Sequence, residues 1–482
     1  GAACSIDAPY SKDTLDQWRV KKSFADNTAR LASEILQEAI DNFSPVVSAD
    51  SIVVFNPSSW SRSETMEVTT PDGKLGRLFA ESVPPLGYKV FPLAKLSEES
   101  VRTEASNILE NQYYVVRFDE ASGSVTSIYD KELDRELVDS SKYGLNAYLY
   151  VSGGENSGIL GPGGQKPNLT ISTTTNGTLK KLVFPDRQVM QISATVPFAN
   201  SFLSTVILYN DQKRIDFVNK IDKLETIKKE AGYFAFPFAF NKPSIRLEIP
   251  NGVIRPEVDQ FRGACRDWYA VQHFLTVSDD SAAVVWTAVD SPLITLQDIN
   301  RGQWYDHLEI ENGNVFAYVL NNYWWTNYKA NQGGPLTFRF AMTSGRNMTD
   351  MQAKQFGESI QNPMIVKVMM GTRSNSEVDK NDATLGREKK LVGSQSFVTI
   401  DGEGVVVQAM MPARFTGGTI IRLREMLGKA STVKLRVTGI RFNRAYLCNL
   451  AEDKISPLSA NNKTITVPCK ALGLTTVLLE RP

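Results

Sequence analysis

The feature that most constrains the fold is an alternation of apolar and polar residues with a period of two, which recurs from Ser51 almost to the end of the chain. It is clearest in residues 314–344, where two alternating segments flank Gln332-Gly333-Gly334-Pro335. Glycine accepts positive φ and proline cannot donate to a sheet, so this sequence separates two strands. A period of two is typical of strands with one buried face. The chain is therefore predicted to be mainly β.

Between these two strands lies the sequence NNYWWTNY, residues 321–328, with four aromatic residues and three asparagines. Aromatic rings bury large areas and stack on flat partners, while asparagine amides both donate and accept hydrogen bonds. Two interpretations stay open. The segment is either a packed corner of a large β domain, which is the commoner use of such rings, or a wall that faces a sugar.

Length and composition limit the possible partners. A chain of 482 residues is predicted to form about three domains of ~150 residues each. Its 53 basic and 53 acidic residues cancel, so charge points to neither nucleic acid nor an anionic membrane. No apolar run approaches the ~20 residues that a membrane helix requires. We therefore expect no nucleic-acid partner and no membrane partner.

The cysteines and histidines argue against a metal site in this chain. Cys4, Cys265, Cys448 and Cys469 show no CxxC spacing, and a pairing of the last two stays open beside free thiols. With two histidines in all, a histidine-rich zinc site cannot be built. We predict no metal ligands and no cofactor here.

The chain divides into four predicted parts. Residues 1–45 form a helical segment, because residues 11–44 place apolar side chains on one helical face after a possible cap at Ser11 or Asp13. Such a helix either packs on the β region that follows or is the last helix of a bundle whose other members are absent. Residues 46–100 supply a few strands of a small sandwich. Residues 101–360 form a large two-layer antiparallel region with one short helix near residues 348–358, and residues 361–482 form a second sandwich that packs with residues 46–100.

Candidate binding residues come from one short segment. No GxSxG, HExxH, Walker or GxGxxG motif is present, and no catalytic residue is predicted. Arg301 and Trp304 combine a guanidinium with an indole, which suits a hydroxyl-rich ring, although a tight turn explains them equally well. His307 lies beside acidic residues and is a candidate for sugar binding or general acid catalysis. His273 alternates on a strand, as core histidines often do.

Several segments together resemble the C-terminal, non-catalytic region of glycoside hydrolase family 38, the α-mannosidases. They occur in the family's order and span nearly the whole chain from Ser51. They are residues 53–62, 83–91, 122–139, 214–223, 233–238, 268–279, 290–304 and the NNYWWTNY segment.

The resemblance implies a fold and a role. It implies a large antiparallel supersandwich like that of galactose mutarotase, a smaller β-sandwich and one N-terminal helix. In that family a separate α/β domain carries zinc and an aspartate nucleophile, and α-mannosides are hydrolysed with retention. Nothing here matches its zinc-binding HxD motif. We therefore expect this chain to be inactive alone, to support a missing N-terminal catalytic domain that holds the zinc, and to help wall the site for a mannoside.

The resemblance also implies two substrate contacts. Family members place a tyrosine from a small-Ala-Tyr-Leu strand near the substrate, and Asn146-Ala147-Tyr148-Leu149 is similar to it, so Tyr148 is a candidate. An arginine of the same β region reaches the pocket, and Arg301 in the DINRG sequence is the corresponding candidate. Two alternatives remain. One is a stand-alone carbohydrate-binding protein that uses Trp304, Trp324 and Trp325, and the other is a mutarotase-like epimerase that uses His273 and His307.

Overall fold

The computed structural model describes residues 8–43, 50–154, 168–299, 304–323, 329, 331–370, 393–461 and 463–481. The chain splits into two compact units. The first unit comprises Gly1–Ala29 and Ser100–Gln361, and the second comprises Arg30–Glu99 and Asn362–Pro482. The described residues form 36 strands, two α-helices and one 3-10 turn at Leu93–Lys95. The prediction of a mainly β chain is confirmed.

The first unit is built on two large antiparallel sheets. The ten-stranded sheet contains, in spatial order, Gly252–Ile254, Ser244–Ile249, Leu275–Ser278, Ala283–Ala288, Gly334–Gly345, Ile215–Lys223, Ala199–Tyr209, Arg187–Thr195, Thr175–Val183 and Arg102–Glu104. The six-stranded sheet contains Leu169–Thr173, Ala147–Gly153, Glu230–Asn241, Asn312–Asn321, Leu293–Leu296 and Tyr269–Ala270. A smaller sheet contains Arg135–Glu136, Val125–Asp130, Tyr114–Phe118 and Ile108–Glu110. The predicted antiparallel supersandwich is confirmed.

The core of this sandwich follows from the alternation along Glu230–Asn241. Phe234 and Phe236 belong to the main apolar core, whereas Tyr233 belongs to a separate cluster on the other side of the same strand. The ring of Phe236 lies 5.0 Å from that of Phe340 and 5.1 Å from that of Trp286 in edge-on or tilted geometry, which aromatic quadrupoles prefer. One face of the strand therefore fills the space between the sheets.

The second helix, α2, spans Asp350–Gln361, belongs to the first unit and packs on its strands Ala283–Ala288 and Gly334–Gly345. Thr349 caps it, because its Oγ1 accepts the N–H of Gln352 at 3.2 Å. At the other end, Nε2 of Gln361 donates to the carbonyl of Gln272 at 2.8 Å. A Cβ on Gly357 would lie 1.9 Å from the His273 carbonyl oxygen, so only glycine permits this close approach. The predicted short helix is present and lies against the segment between two strands that carries His273.

The second unit contains four antiparallel sheets. One small sheet contains Ile365–Met369, Ser51–Asn56, Gly87–Pro92 and Ser394–Ser396. Another contains Arg62–Thr69, Leu75–Val83 and Ser97–Glu98. The other two sheets form the C-terminal sandwich. The four-stranded one contains Val398–Asp401, Ser431–Val437, Thr464–Cys469 and Ala460–Asn461. The five-stranded one contains Val405–Pro412, Thr419–Glu425, Leu474–Glu480, Arg444–Cys448 and Lys454–Pro457. Cys448 and Cys469 are free thiols in different apolar clusters, and burial raises the pKa of both.

The first helix, α1, spans Lys12–Asn42. The Ser11 side chain caps it by accepting the N–H of Thr14 at 3.3 Å. Thr14 is the buried residue of the helix, whereas Phe24 and Ile35 are both 67% exposed. The predicted apolar stripe is therefore uncovered along most of its length. Among the described residues, neither helix has the long apolar stretch that a bilayer crossing would require.

One strand prediction is wrong. His273 is predicted to alternate on a strand, but it lies in a bend between Tyr269–Ala270, which belongs to the six-stranded sheet, and Leu275–Ser278, which belongs to the ten-stranded one. The chain crosses between the layers at this point, which a local pattern does not reveal. The strands Asn312–Asn321 and Gly334–Gly345 exist as predicted, yet they also lie in different sheets.

Candidate functional site

The structure places the predicted site residues in two different settings. Tyr148 is buried inside the sandwich of the first unit. Trp304 and His307 lie on its surface, with Trp304 52% exposed and the His307 side chain 67% exposed. Arg301, like Trp324 and Trp325, lies outside the described residues. Trp304 and His307 are thus both exposed and lie three positions apart in the sequence, while Tyr148 lies in the interior.

Tyr148 sits where the strand opposite it carries a glycine. Its ring packs 5.3 Å from that of Phe234, and a Cβ on Gly232 would lie 2.8 Å from the Tyr148 hydroxyl. That hydroxyl has no hydrogen-bond partner among the described residues. Burial, together with the nearby charge of Glu230, raises the pKa of Tyr148 far above its usual value. Tyr148 is a neutral, enclosed phenol.

Next to Tyr148 is a buried ionic group that sequence reasoning missed. Glu230 is paired with Lys223 at 2.8 Å and accepts the Tyr150 hydroxyl at 2.8 Å. Burial and the contact with Glu230 raise the pKa of Tyr150 strongly. One signal was available in the sequence. Lys223 follows Phe217 and Ile221 at inward positions of its strand, and a lysine that faces inward needs an acidic partner.

Trp304 is held by its backbone. Its N–H donates to both carboxylate oxygens of Asp267, at 3.2 and 3.0 Å, and Asp267 is only 3% exposed. Its φ of 57° lies in the left-handed region, which is uncommon for a bulky residue. The carboxylate therefore stabilises a backbone conformation in which the indole remains half exposed.

His307 is held by its side chain. Its Nδ1 lies 2.6 Å from Oε2 of Glu257, and Oε1 of the same carboxylate lies 2.7 Å from Nε of Arg266. The side chains of Glu257 and Arg266 are 11% and 8% exposed, so the ion pair is enclosed while the imidazole is not. The arrangement fixes one ring nitrogen and leaves the rest of the ring towards solvent.

Tyr269 lies beneath the same charges. It is 4% exposed, its hydroxyl has no hydrogen-bond partner among the described residues, and burial and the charge of Glu257 raise its pKa. We call Glu257, Arg266, Asp267, Tyr269, Trp304 and His307 the loop cluster. The sequence identified two of these six residues. The others are separated from them by up to 50 positions, and no spacing marks such a pairing.

The second histidine belongs to a different group, which ties α2 to the sheet. Nδ1 of His273 lies 2.9 Å from Glu248 and 3.1 Å from Nζ of Lys354. Lys354 is also paired with Glu248 at 3.1 Å and with Glu358 at 2.9 Å. We call these four residues the α2 cluster. His273 and His307 therefore contact different carboxylates, Glu248 and Glu257, and the contacts supply no common acid–base pair for an epimerase.

The described residues do not suit the zinc of the family. Among them, no group of three or more histidine, cysteine, aspartate or glutamate side chains is arranged to hold a metal ion. We therefore derive no step through zinc from this chain.

Two family profiles match the sequence. Residues 109–285 match the Glycosyl hydrolases family 38 C-terminal domain, and residues 404–475 match the Glycosyl hydrolases family 38 C-terminal beta sandwich domain. This chain is a C-terminal region of glycosyl hydrolase family 38. The resemblance seen in the sequence is confirmed. The first match includes Tyr148 and four members of the loop cluster.

Solved structures of family 38 share the fold over nearly the whole chain. An α-mannosidase from Enterococcus faecalis V583 superposes with a TM-score of 0.69 at 12% identity, over 97% of this chain and 61% of its own. A glycosyl hydrolase family 38 protein from Enterococcus faecalis gives 0.68 at 13% identity, over 96% and 62%. This chain thus spans about three fifths of the length of each. At such identities the likeness shows the fold alone.

Other comparisons add little. A galactose mutarotase-like protein from Lactobacillus casei ATCC 334 superposes over 51% of this chain and 100% of its own, at 12% identity and a TM-score of 0.30, which is too low to support an argument about activity. No curated protein matches the chain.

Proposed function

We propose that this family 38 region is the β-rich C-terminal part of an α-mannosidase-like hydrolase. It supports a zinc-binding catalytic domain that this chain does not contain, and it helps wall the carbohydrate site. The observation that carries the proposal is the pair of family matches at residues 109–285 and 404–475. The α-mannosidase from Enterococcus faecalis, whose fold matches 97% of this chain, supports the choice of substrate class.

In this proposal the chain contributes binding rather than bond cleavage. Hydrolysis with retention needs two catalytic groups about 5–5.5 Å apart across the glycosidic bond, and these would come from the catalytic domain. The half-exposed indole of Trp304 suits stacking on a sugar ring, and the exposed imidazole of His307, three residues further along the chain, adds a hydrogen-bonding group. Arg301 stays a predicted contact. Tyr148 is enclosed, so its contribution would come through packing inside the sandwich.

The proposal is tested by assaying the purified 482-residue chain with p-nitrophenyl α-mannoside, with and without added zinc. We expect no turnover above that of the buffer in either condition. Turnover that copurifies with the chain and depends on its concentration would overturn the proposal.

A second candidate function is stand-alone carbohydrate binding, which the exposure of Trp304 beside His307 favours. Calorimetric titration with mannose and mannobiose separates the two candidates. A complete lectin site should saturate, whereas one wall of a shared site should give only a weak signal that does not saturate.

A further inference from the structure

The geometry of the loop cluster assigns a protonation pattern to His307. A neutral imidazole carries one N–H, and the other nitrogen is an acceptor. Nδ1 lies 2.6 Å from Oε2 of Glu257, and an ionised carboxylate only accepts hydrogen bonds. The proton of a neutral His307 must therefore reside on Nδ1, which leaves Nε2 with a free lone pair.

Glu257 is suited to impose this choice because it is itself fixed. Arg266 lies 2.7 Å from its other oxygen, and both side chains are almost enclosed. The guanidinium cannot lose its charge, so it stabilises the carboxylate as an acceptor. An exposed glutamate–arginine pair would exchange partners freely. The Glu257–Arg266 pair is enclosed, so Glu257 keeps the His307 imidazole in one orientation.

We propose that Glu257 and Asp267 are positioning residues for one hydroxyl-recognition site, in which Nε2 of His307 accepts a sugar hydroxyl while the ring of that sugar stacks on Trp304. This rests on the proposed function, since it specifies how the wall contacts a carbohydrate. Glu257 acts through the imidazole and Asp267 through the backbone of Trp304.

A second observation at the loop cluster concerns a buried polar group. The Tyr269 hydroxyl is buried, close to Glu257, and unpartnered among the described residues. A buried hydroxyl without a hydrogen bond is energetically unfavourable, so such groups are usually satisfied by water or a ligand. Tyr269 gives the loop cluster a buried donor that has no partner within the part of the chain that the structure describes.

The chain offers an unusually clean measurement, because it contains only two histidines. Nitrogen-15 spectra of histidine-labelled protein, recorded at about pH 8 where imidazole is ordinarily neutral, distinguish protonated from unprotonated ring nitrogens. We expect His307 to show a protonated Nδ1 and an unprotonated Nε2. Methyl α-mannoside at about 100 mM should occupy this wall in part, so it should shift the Nε2 resonance of His307 and leave that of His273 unchanged.

Three variants test the role of Glu257 and Trp304. Glu257→Met removes the acceptor and should release the tautomer preference of His307, while Glu257→Gln retains an acceptor oxygen and should preserve it. Trp304→Ala should abolish the sugar-dependent shift without changing the tautomer. Glu309→Gln, which removes an exposed charge two residues from His307, is the matched control and should change neither readout. The His273 resonance reports whether each variant is folded.

The results separate the inference from the proposed function. A proton on Nε2 in the unaltered chain, an unchanged tautomer in Glu257→Met, or no sugar-dependent shift of His307 would each overturn the inference and leave the proposed function standing. Mannoside hydrolysis by the chain alone would overturn the proposed function, and the tautomer result would be unaffected.

Discussion

The α2 cluster and the loop cluster both pair a histidine with a glutamate, yet they differ in how much of the pair is enclosed. In the α2 cluster Glu248 is 0% and Lys354 1% exposed, and the group joins a helix to a sheet. In the loop cluster Glu257 and its partner Arg266 are enclosed, whereas the imidazole of His307 is open to solvent. The first arrangement can stabilise the fold. The second arrangement leaves His307 accessible to a ligand.

The same contrast applies to charge. A buried ion pair is strongly coupled, because removal of one partner leaves the other uncompensated in a poorly solvated place. An exposed partner is replaced by water at little cost. We therefore expect stability to depend on His273 and its neighbours, and binding to depend on His307.

The largest effect is expected for Lys354→Met. It leaves Glu248 buried without its lysine, and should lower the free energy of unfolding of the first unit by about 3–5 kcal/mol. Hydrogen exchange of the α2 amides measures this locally. The control is Lys22→Met in the exposed Lys22–Asp26 pair of α1, which should change stability by less than about 0.5 kcal/mol. Equal effects of the two variants would contradict the contrast.

Acid pH should act through Glu248. Burial opposes its ionisation, but the hydrogen bond with His273 and the charge of Lys354 outweigh burial and hold its pKa below the ordinary value of 4.5. Because the folded pKa is the lower one, this stabilisation is present above pH ~4.5 and is lost as pH falls through the folded value. Exchange of the α2 amides measured between pH 6 and 3 should accelerate more steeply in the unaltered chain than in Glu248→Gln. Parallel profiles would be inconsistent with this assignment.

Tyr148→Phe sharpens the comparison, because its hydroxyl is enclosed but unpartnered. Its removal should leave stability unchanged or raise it by about 1 kcal/mol, since no hydrogen bond is lost. Tyr114→Phe is the matched variant, because the buried Tyr114 hydroxyl lies 2.7 Å from that of Ser344. It should cost about 1 kcal/mol in urea unfolding monitored for the first unit. If both variants were equally destabilising, Tyr148 would have a partner in solution.

The smallest effect on stability is expected for His307→Ala. Its side chain is 67% exposed, so the free energy of unfolding should change by less than about 0.5 kcal/mol. Thermal unfolding measures this, with His273→Ala as the enclosed counterpart that should be clearly destabilised. A large loss of unfolding free energy with His307→Ala would show that the loop cluster stabilises the fold as the α2 cluster does.

Local sequence patterns predicted where the strands and helices lie better than they predicted which sheet each strand joins. The period-two alternation located the strands because one face of each is buried, and the cap at Ser11 located the start of α1. The sequence could not show that Tyr269–Ala270 and Leu275–Ser278 enter different sheets, because layer crossing depends on contacts distant in sequence.

The same limit applies to the candidate site. Trp304 and His307 were recognisable as side chains suited to a sugar. Glu257 and Asp267, which hold them, lie 50 and 37 positions away and look like ordinary loop acids. Tyr148 was located by resemblance, and its enclosure depends on the glycine at position 232 of a neighbouring strand.

The uncovered helix α1 has a practical consequence. From Phe24 to Ala39 its residues are exposed on every side. This stretch of the helix is stabilised by local side-chain pairs such as the Arg30–Glu34 ion pair. Such contacts contribute only ~0.3–0.5 kcal/mol each, so the stretch should unwind readily. Trypsin should cleave α1 after Arg30 long before it cleaves the sheets. A binding partner that covers this site would be detected because it slows the cleavage.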